Sequence, residues 1–235
     1  MASGKSSKGS LEMGELTINE KRKIIRREFK QFNQENGFRF VRPNTLLRER
    51  NDILQYLQFK IKAGYINCEI ASQPLYIPAS VFSLNISTGI QFLGKKTRTN
   101  WGASGRTAEE FALDVQDMLQ LIAAGGMQWF EDMGVPENLI KNTLDQNYKL
   151  TQGYAPVLKL RTVAMSHLYL AHIAEGILYM EKTIAEYSKY PNSSMGAVIA
   201  PECQAWIDMA KSHPEEIPDK FKSIIAETRN NLRIR

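Results

Sequence analysis

The chain has 235 residues, of which 43% are hydrophobic and 23% are charged, and its formal net charge is +5. This composition is sufficient for a buried core, and it excludes disordered and collagen-like classes. Two cysteines without CxxC spacing support neither a disulfide framework nor a thiolate zinc site. Because no charge-free apolar run is long enough to cross a bilayer and the N-terminus lacks a secretory signal, we expect a cytoplasmic protein.

The N-terminal part combines an expected tail with a two-faced helix. Residues 1–15 are rich in Ser, Gly and Lys, and we expect them to form a flexible tail. Thr17 and Glu20 match a capping box that starts a helix, and Asn36-Gly37 predicts its end. One arc of this helix is apolar, and the opposite arc is basic: Arg22, Lys23, Arg26, Arg27 and Lys30. The basic arc is either the solvated back of a core-packing helix or a surface for nucleic acid, acidic protein or anionic lipid.

A β-hairpin is predicted for the stretch from Leu54 to Pro78. Apolar and polar residues alternate on both sides of Ala63-Gly64, and the apolar positions are Leu57, Phe59, Ile61, Ile66, Cys68 and Ile70. A period of two indicates strands with one wet face, and glycine permits the tight reversal between them. On the apolar side, Cys68 is expected to be a small buried hydrophobe.

Further short strands precede and follow this hairpin. They are predicted at Phe38 to Arg42, at Thr45 to Arg50, and at Ser83 to Leu93 with an interruption at Gly89. Consecutive short strands indicate an antiparallel meander. The following stretch, residues 94–105, is predicted to be a basic, polar loop with Lys95, Lys96, Arg98 and Trp101. Together with the basic arc, this loop is the candidate surface for nucleic acid or an acidic partner, and Trp101 would add base stacking if it is exposed.

The next segments are predicted to be helical. Thr107 and Glu110 repeat the capping-box pattern, Gly125-Gly126 is expected to break that helix, and Pro136 opens another. The order of elements is a first helix ending NGF, a strand pair with LQFK and INCEIASQPLYIP, and then a helix followed by MQWFEDMG and NLIKNTL. Over roughly residues 17–148, it resembles the bacterial family catalogued as domain of unknown function 4304 and its relatives. The resemblance implies no activity, cofactor or catalytic residue.

The C-terminal part is predicted to be entirely helical. Leu160 to Tyr190 reads as one long helix or as two helices joined near Gly176. It carries an apolar stripe: Leu170, Ile173, Ile177, Met180, Ile184 and Tyr187. We expect this region to pack on the sheet-containing part or on another copy, so a protein partner or self-association is predicted.

Few residues have a spacing typical of chemistry. On one continuous helix, His167 and His172 would stand about 140° apart and would not share a metal, and the pair His172 and Glu175 has no companion motif. Neither a metal nor another cofactor is therefore predicted. A metal-dependent nuclease centre would need Asp52, Gln58 and Lys60 to converge, although a solvated strand face explains the last two residues without chemistry.

These patterns predict an α+β protein: a flexible tail (1–15), an α+β domain with an antiparallel meander packed against helices (16–150), and a helical C-terminal region (151–235). The expected function is that of a cytoplasmic bacterial, non-catalytic binding or interaction module, without catalytic residues and without membrane attachment. The alternatives are a nucleic-acid-binding protein that uses the basic helix and loop, and a metal-dependent phosphodiesterase.

Overall fold

The computed structural model describes residues 16–62, 64–93, 101–102, 107–145, 148, 156–190 and 192–234. The strands are β1 (Arg39–Arg42), β2 (Thr45–Arg50), β3 (Ile53–Ile61), β4 (Ile66–Pro74) and β5 (Ser87–Gly89). The N-terminal and middle helices are α1 (Ile18–Glu28), α2 (Lys30–Asn36), α3 (Ala108–Leu121), α4 (Met127–Asp132) and α5 (Pro136–Leu144). The later helices are α6 (Pro156–Tyr169), α7 (Ile173–Tyr187), α8 (Ser194–Ser212) and α9 (Ile217–Leu232).

The strands form one antiparallel sheet in the order β1-β2-β3-β4-β5, so each strand pairs with its neighbour in sequence. In the central hairpin, Leu57 lies opposite Ile70 and Phe59 lies opposite Cys68. The meander and the α+β class predicted from the sequence are therefore confirmed. Cys68 is fully buried, and this burial raises the pKa of its thiol.

Helices cover both faces of the sheet. One core cluster joins α1 and α3 to the sheet through residues such as Phe29, Phe59 and Phe111. A second cluster joins the C-terminal helices to the opposite face through residues such as Tyr56 and Phe221. The prediction of a solvent-exposed second face is therefore wrong for most of the sheet, because the C-terminal helices from α6 onward cover that face. It persists only near the hairpin turn, where side chains such as Lys60 are exposed.

The apolar stripe of α7 packs within the chain. Met180 and Tyr187 are buried in the second cluster, and Ile173, Ile177 and Ile184 are half-buried against it. The C-terminal region thus packs on the sheet, and self-association stays a prediction. The boundary expected at residues 150 and 151 lies outside the described residues.

Two helix boundaries differ from the expectation. Gly125-Gly126 does not break the helix, since a π-helical turn (Ile122–Gly126) connects α3 to α4. A Cβ on Gly125 would lie 2.8 Å from the backbone oxygen of Leu93, so glycine permits this close approach. The first helix also kinks at Phe29, between α1 and α2, before it ends at Gly37 with a left-handed φ of 72°.

The long C-terminal segment divides into two helices, but not at Gly176. The chain turns at Leu170–His172, where Ala171 has a positive φ of 59°. Gly176 instead lies inside α7, where it packs against Leu168 of α6. Within the described ranges, every helix is too short or too polar to span a bilayer.

Candidate binding surface

The basic residues of α1 lie on the side of the helix that faces away from the core. Lys23, Arg26, Arg27 and Lys30 are exposed, and Arg22 is half-buried. A capping box of Thr17 and Glu20 starts the helix and orients this face. Arg22, Arg26 and Lys30 recur every four residues, which on a helix is a rise of about 6 Å per step. The kink at Phe29 lies between Arg26 and Lys30, so only Lys30 follows it.

Two of these guanidinium groups are held in place by the start of the sheet. The Nε of Arg22 donates a hydrogen bond to Oδ1 of Asn44 at 2.8 Å, and its Nη1 donates to Oδ1 of Asn19 at 3.2 Å. The guanidinium of Arg26 lies 4.2 Å from the centre of the Phe40 ring, in a cation–π contact. These contacts place the basic side of α1 next to β1, the edge strand of the sheet.

Further positive charge lies on the other face of the sheet, on the side that the C-terminal helices cover. Arg42 of β1 is exposed and lies over the ring of Phe82 at 4.5 Å. Arg42 also lines a cleft of about 410 Å³ together with Arg233, which follows α9. We define the basic surface as Lys23, Arg26 and Lys30 of the helical segment.

The acidic neighbours of the basic surface are already engaged. Glu20 accepts hydrogen bonds from Thr17, which lower the pKa of the Glu20 carboxyl. Glu28 pairs with Arg27 at 2.6 Å and accepts a hydrogen bond from Gln116 at 2.8 Å. Arg27 is therefore partly neutralised, which is why it is left out of the basic surface.

Trp101 does not contribute an exposed ring. It is 1% exposed, its backbone bridges to Ile66, and its indole Nε1 donates to Oδ2 of Asp117 at 2.7 Å. Base stacking requires an exposed ring, so Trp101 does not belong to the candidate surface. The other loop residues of the prediction, Lys95, Lys96 and Arg98, lie outside the described residues.

The predicted nuclease residues are far apart. Asp52 lies in the β2–β3 turn, whereas Lys60 lies eight residues further along β3, a span of about 26 Å at the rise of an extended strand. Asp52 accepts a hydrogen bond from Arg229 at 2.9 Å, and Lys60 pairs with Glu69 across the hairpin. Gln58 accepts a hydrogen bond from Thr45 at 3.3 Å. The structure therefore does not assemble this metal centre, which removes the basis of the phosphodiesterase interpretation.

A buried polar network near the first core was not expected from the sequence. Arg48 is 5% exposed, and its Nε donates to Oε1 of Gln55 at 2.6 Å. Gln55 in turn donates to the backbone oxygen of Phe130 at 2.6 Å, and Arg48 lies 4.7 Å from the ring centre of Phe38. Burial, and secondarily the charge of Arg50, lower the pKa of Arg48 to about 10. Nη1 of Arg48 donates to the backbone oxygen of Asn36 at 3.2 Å, and Nη2 pairs with Glu131 at 3.5 Å. Because the guanidinium is engaged by these partners, the network stabilises the sheet and does not form an open site.

His167 and His172 lie together, contrary to the expectation. Their Nδ1 atoms are 3.5 Å apart, and the ring of His167 stacks on Tyr179 at 5.5 Å. The two residues would stand apart on one continuous helix, whereas the chain turns sharply between them. Burial and the neighbouring His172 lower the pKa of His167, and the carboxylate of Glu175 acts in the opposite direction.

The fold and this surface together define an α+β protein whose sheet lies between two helical layers and whose basic edge is exposed. Comparisons with protein-family models, with curated proteins and with solved structures find no match to the chain. The resemblance noted for residues 17–148 stays a prediction.

Proposed function

We propose that the protein is a non-catalytic binding module that takes an acidic protein segment on its basic surface. The observation that carries this proposal is a set of exposed cations that form no ion pair with any residue that the structure describes. Lys23, Arg26 and Lys30 make no ion pair there: the carboxylate of Glu20 is held mainly by Thr17, with a smaller contribution from the charge of Lys23 to its lowered pKa, and Glu28 is paired with Arg27. Such a row of unpaired charges favours a partner of opposite sign.

Pre-ordering supports a role in recognition. Arg26 is held by Phe40, so it loses less side-chain freedom when a carboxylate binds. A single exposed ion pair contributes about 0.2–1 kcal/mol, so a partner needs several carboxylates to bind measurably. An acidic peptide along α1 meets this requirement, since the cations recur at helical spacing.

Nucleic acid is the second candidate, because a row of cations also neutralises phosphates. The buried ring of Trp101 weighs against it, since base stacking gives much of the affinity for single strands. The two candidates differ in their salt dependence and in the probe that binds.

The test compares two triple charge reversals. Lys23→Glu, Arg26→Glu and Lys30→Glu change the basic surface, and Lys141→Glu, Lys182→Glu and Lys220→Glu make the same change in net charge at exposed positions on three other helices. Fluorescence anisotropy would measure binding of a labelled oligoglutamate peptide, a DNA duplex and single-stranded RNA at low and physiological salt.

We expect the peptide to bind the natural sequence and the control triple, and to lose at least about tenfold in affinity with the basic-surface triple, since several pairs are lost at once. Tighter binding of DNA or RNA than of the peptide, with the same pattern among variants, would select the second candidate. Equal losses of affinity in the two triple variants, or no binding of any probe, would contradict both candidate functions.

A further inference from the structure

The turn between α6 and α7 has the hydrogen bonds of a Schellman motif. The backbone N–H of Ala171 donates to Leu168 O at 3.0 Å, and the N–H of His172 donates to His167 O at 2.9 Å. Ala171 supplies the left-handed residue that this motif needs. In a Schellman motif the side chains at the positions of His167 and His172 contact each other, and that contact is usually apolar. Here both side chains are imidazoles.

The separation of the two imidazoles matches that of two ligands on one metal ion. Zn–N bonds of about 2.0–2.1 Å at a tetrahedral angle place two nitrogen ligands about 3.3–3.4 Å apart. The observed separation of the Nδ1 atoms is 3.5 Å. The stacking of His167 on Tyr179, with 14° between the ring planes, holds one imidazole in position before any ion arrives.

Glu175 can provide a third ligand. It stands three residues after His172 in the first turn of α7, which places the two side chains on one face of the helix. Its side chain is exposed, so a change of rotamer brings its carboxylate toward the imidazoles without disturbing the core. Two imidazoles and one carboxylate form a ligand set that suits zinc and leaves a fourth position open.

We propose that His167, His172 and Glu175 form a binding site for a divalent transition metal ion of the zinc type. The site lies on the surface of the helical layer, so the ion reaches it directly from solvent. It is independent of the basic surface, and its failure would leave the proposed function untouched.

A second group of side chains in the same protein could compete for the metal ion. Among the described residues, only His213, Glu215 and Glu216 bring three ligand atoms within 4.8 Å of one another. All three are exposed, and His213 is the only histidine of the chain outside the proposed site. Both cysteines are buried, so the two histidine groups are the sites that the experiment has to distinguish among the described residues.

The experiment uses the full chain without an affinity tag. Calorimetric titration with Zn²⁺ measures affinity and stoichiometry, and the visible absorption of Co²⁺ reports the coordination geometry. The variants are His167→Gln, His172→Gln and Glu175→Gln, with His213→Gln as the matched control. Circular dichroism and thermal melting check that each variant is folded, and the exposed position of His172 makes its variant the safest of the set.

We expect one ion per chain and a tetrahedral cobalt spectrum. Each histidine variant of the site should lose at least about tenfold in affinity, since even outer-shell partners of a metal are worth that much. His213→Gln should bind like the natural sequence. Loss of binding only in His213→Gln, or no binding by the natural sequence at micromolar Zn²⁺, would overturn the proposal. Unchanged affinity in Glu175→Gln would overturn the assignment of the third ligand.

Discussion

The hydroxyl of Tyr169 donates a hydrogen bond of 2.8 Å to Oδ2 of Asp52. Tyr169 ends α6, and Asp52 lies in the turn between β2 and β3. The other oxygen of Asp52 accepts a hydrogen bond from Arg229 of α9. One carboxylate thus connects the sheet to two C-terminal helices, and Asp is one of the residues that tolerate its φ of 55°.

Replacing Tyr169 with Phe should weaken the attachment of the helical layer. We expect a loss of about 1 kcal/mol in the free energy of unfolding, because one partly buried hydrogen bond disappears while Arg229 still pairs with Asp52. Urea denaturation measures this difference. Tyr190→Phe is the control, since Tyr190 is 57% exposed, and an equal loss in that variant would contradict the assigned role.

Alkaline pH should destabilise the fold through the same tyrosine. Burial, and then the hydrogen bond and charge of Asp52, raise the pKa of Tyr169 from its ordinary value of 10.0 to about 12. Between these two pH values the unfolded chain binds fewer protons than the folded chain, so stability falls as pH rises. Denaturation at several pH values from 9 to 12 should show this decline, and Tyr169→Phe should make it shallower. Identical slopes in the two proteins would refute the contribution of Tyr169.

Replacing Gln55 should lower the stability of the fold much more than replacing Gln58 on the same strand. Gln55→Met leaves the Nε of the buried Arg48 guanidinium without its acceptor, while Nη1 still donates to the backbone oxygen of Asn36 and Nη2 still pairs with Glu131. We expect a cost of about 1.5–3 kcal/mol, as for hydrogen bonds to charged groups. Gln58→Met removes one partly exposed contact with Thr45 and should change stability by less than about 0.5 kcal/mol. Thermal melting of both variants measures the difference, which should vanish if the Arg48 network is not formed in solution.

Gly176 should not accept a side chain. A Cβ at this position would lie 2.6 Å from Cγ of Leu168, a buried residue of α6. Overpacking costs up to about 3 kcal/mol, and a contact this close to a buried side chain should cost more than the gain of about 1 kcal/mol from alanine's helix propensity. We therefore expect Gly176→Ala to lower the melting temperature. Gly64→Ala, where a Cβ meets open space, should not lower it, and a stable Gly176→Ala variant would show that α6 and α7 are further apart.

Several elements of this fold were predictable because their signals are local. The capping boxes at Thr17 and Thr107 depend on residues three positions apart, and both form as predicted. The hairpin follows from alternation within one stretch, and Gly37 ends the first helical segment because glycine adopts a positive φ freely. In contrast, the turn at Ala171 carries no glycine, so the sequence offered no sign of it and the pairing of His167 with His172 was missed.

The sequence by itself determined which segments are helical, the order of the strands and the basic character of α1, because these depend on periodicity and on neighbours along the chain. It did not determine where the helices kink or turn, as at Phe29 and Ala171. Only the tertiary structure decided which surfaces stay exposed. Packing of the C-terminal helices covered the second face of the sheet, the bridge to Ile66 helped to bury Trp101, and the length of β3 separated Asp52 from Lys60. Burial and proximity arise from contacts between residues far apart in the chain, and a local pattern does not encode them.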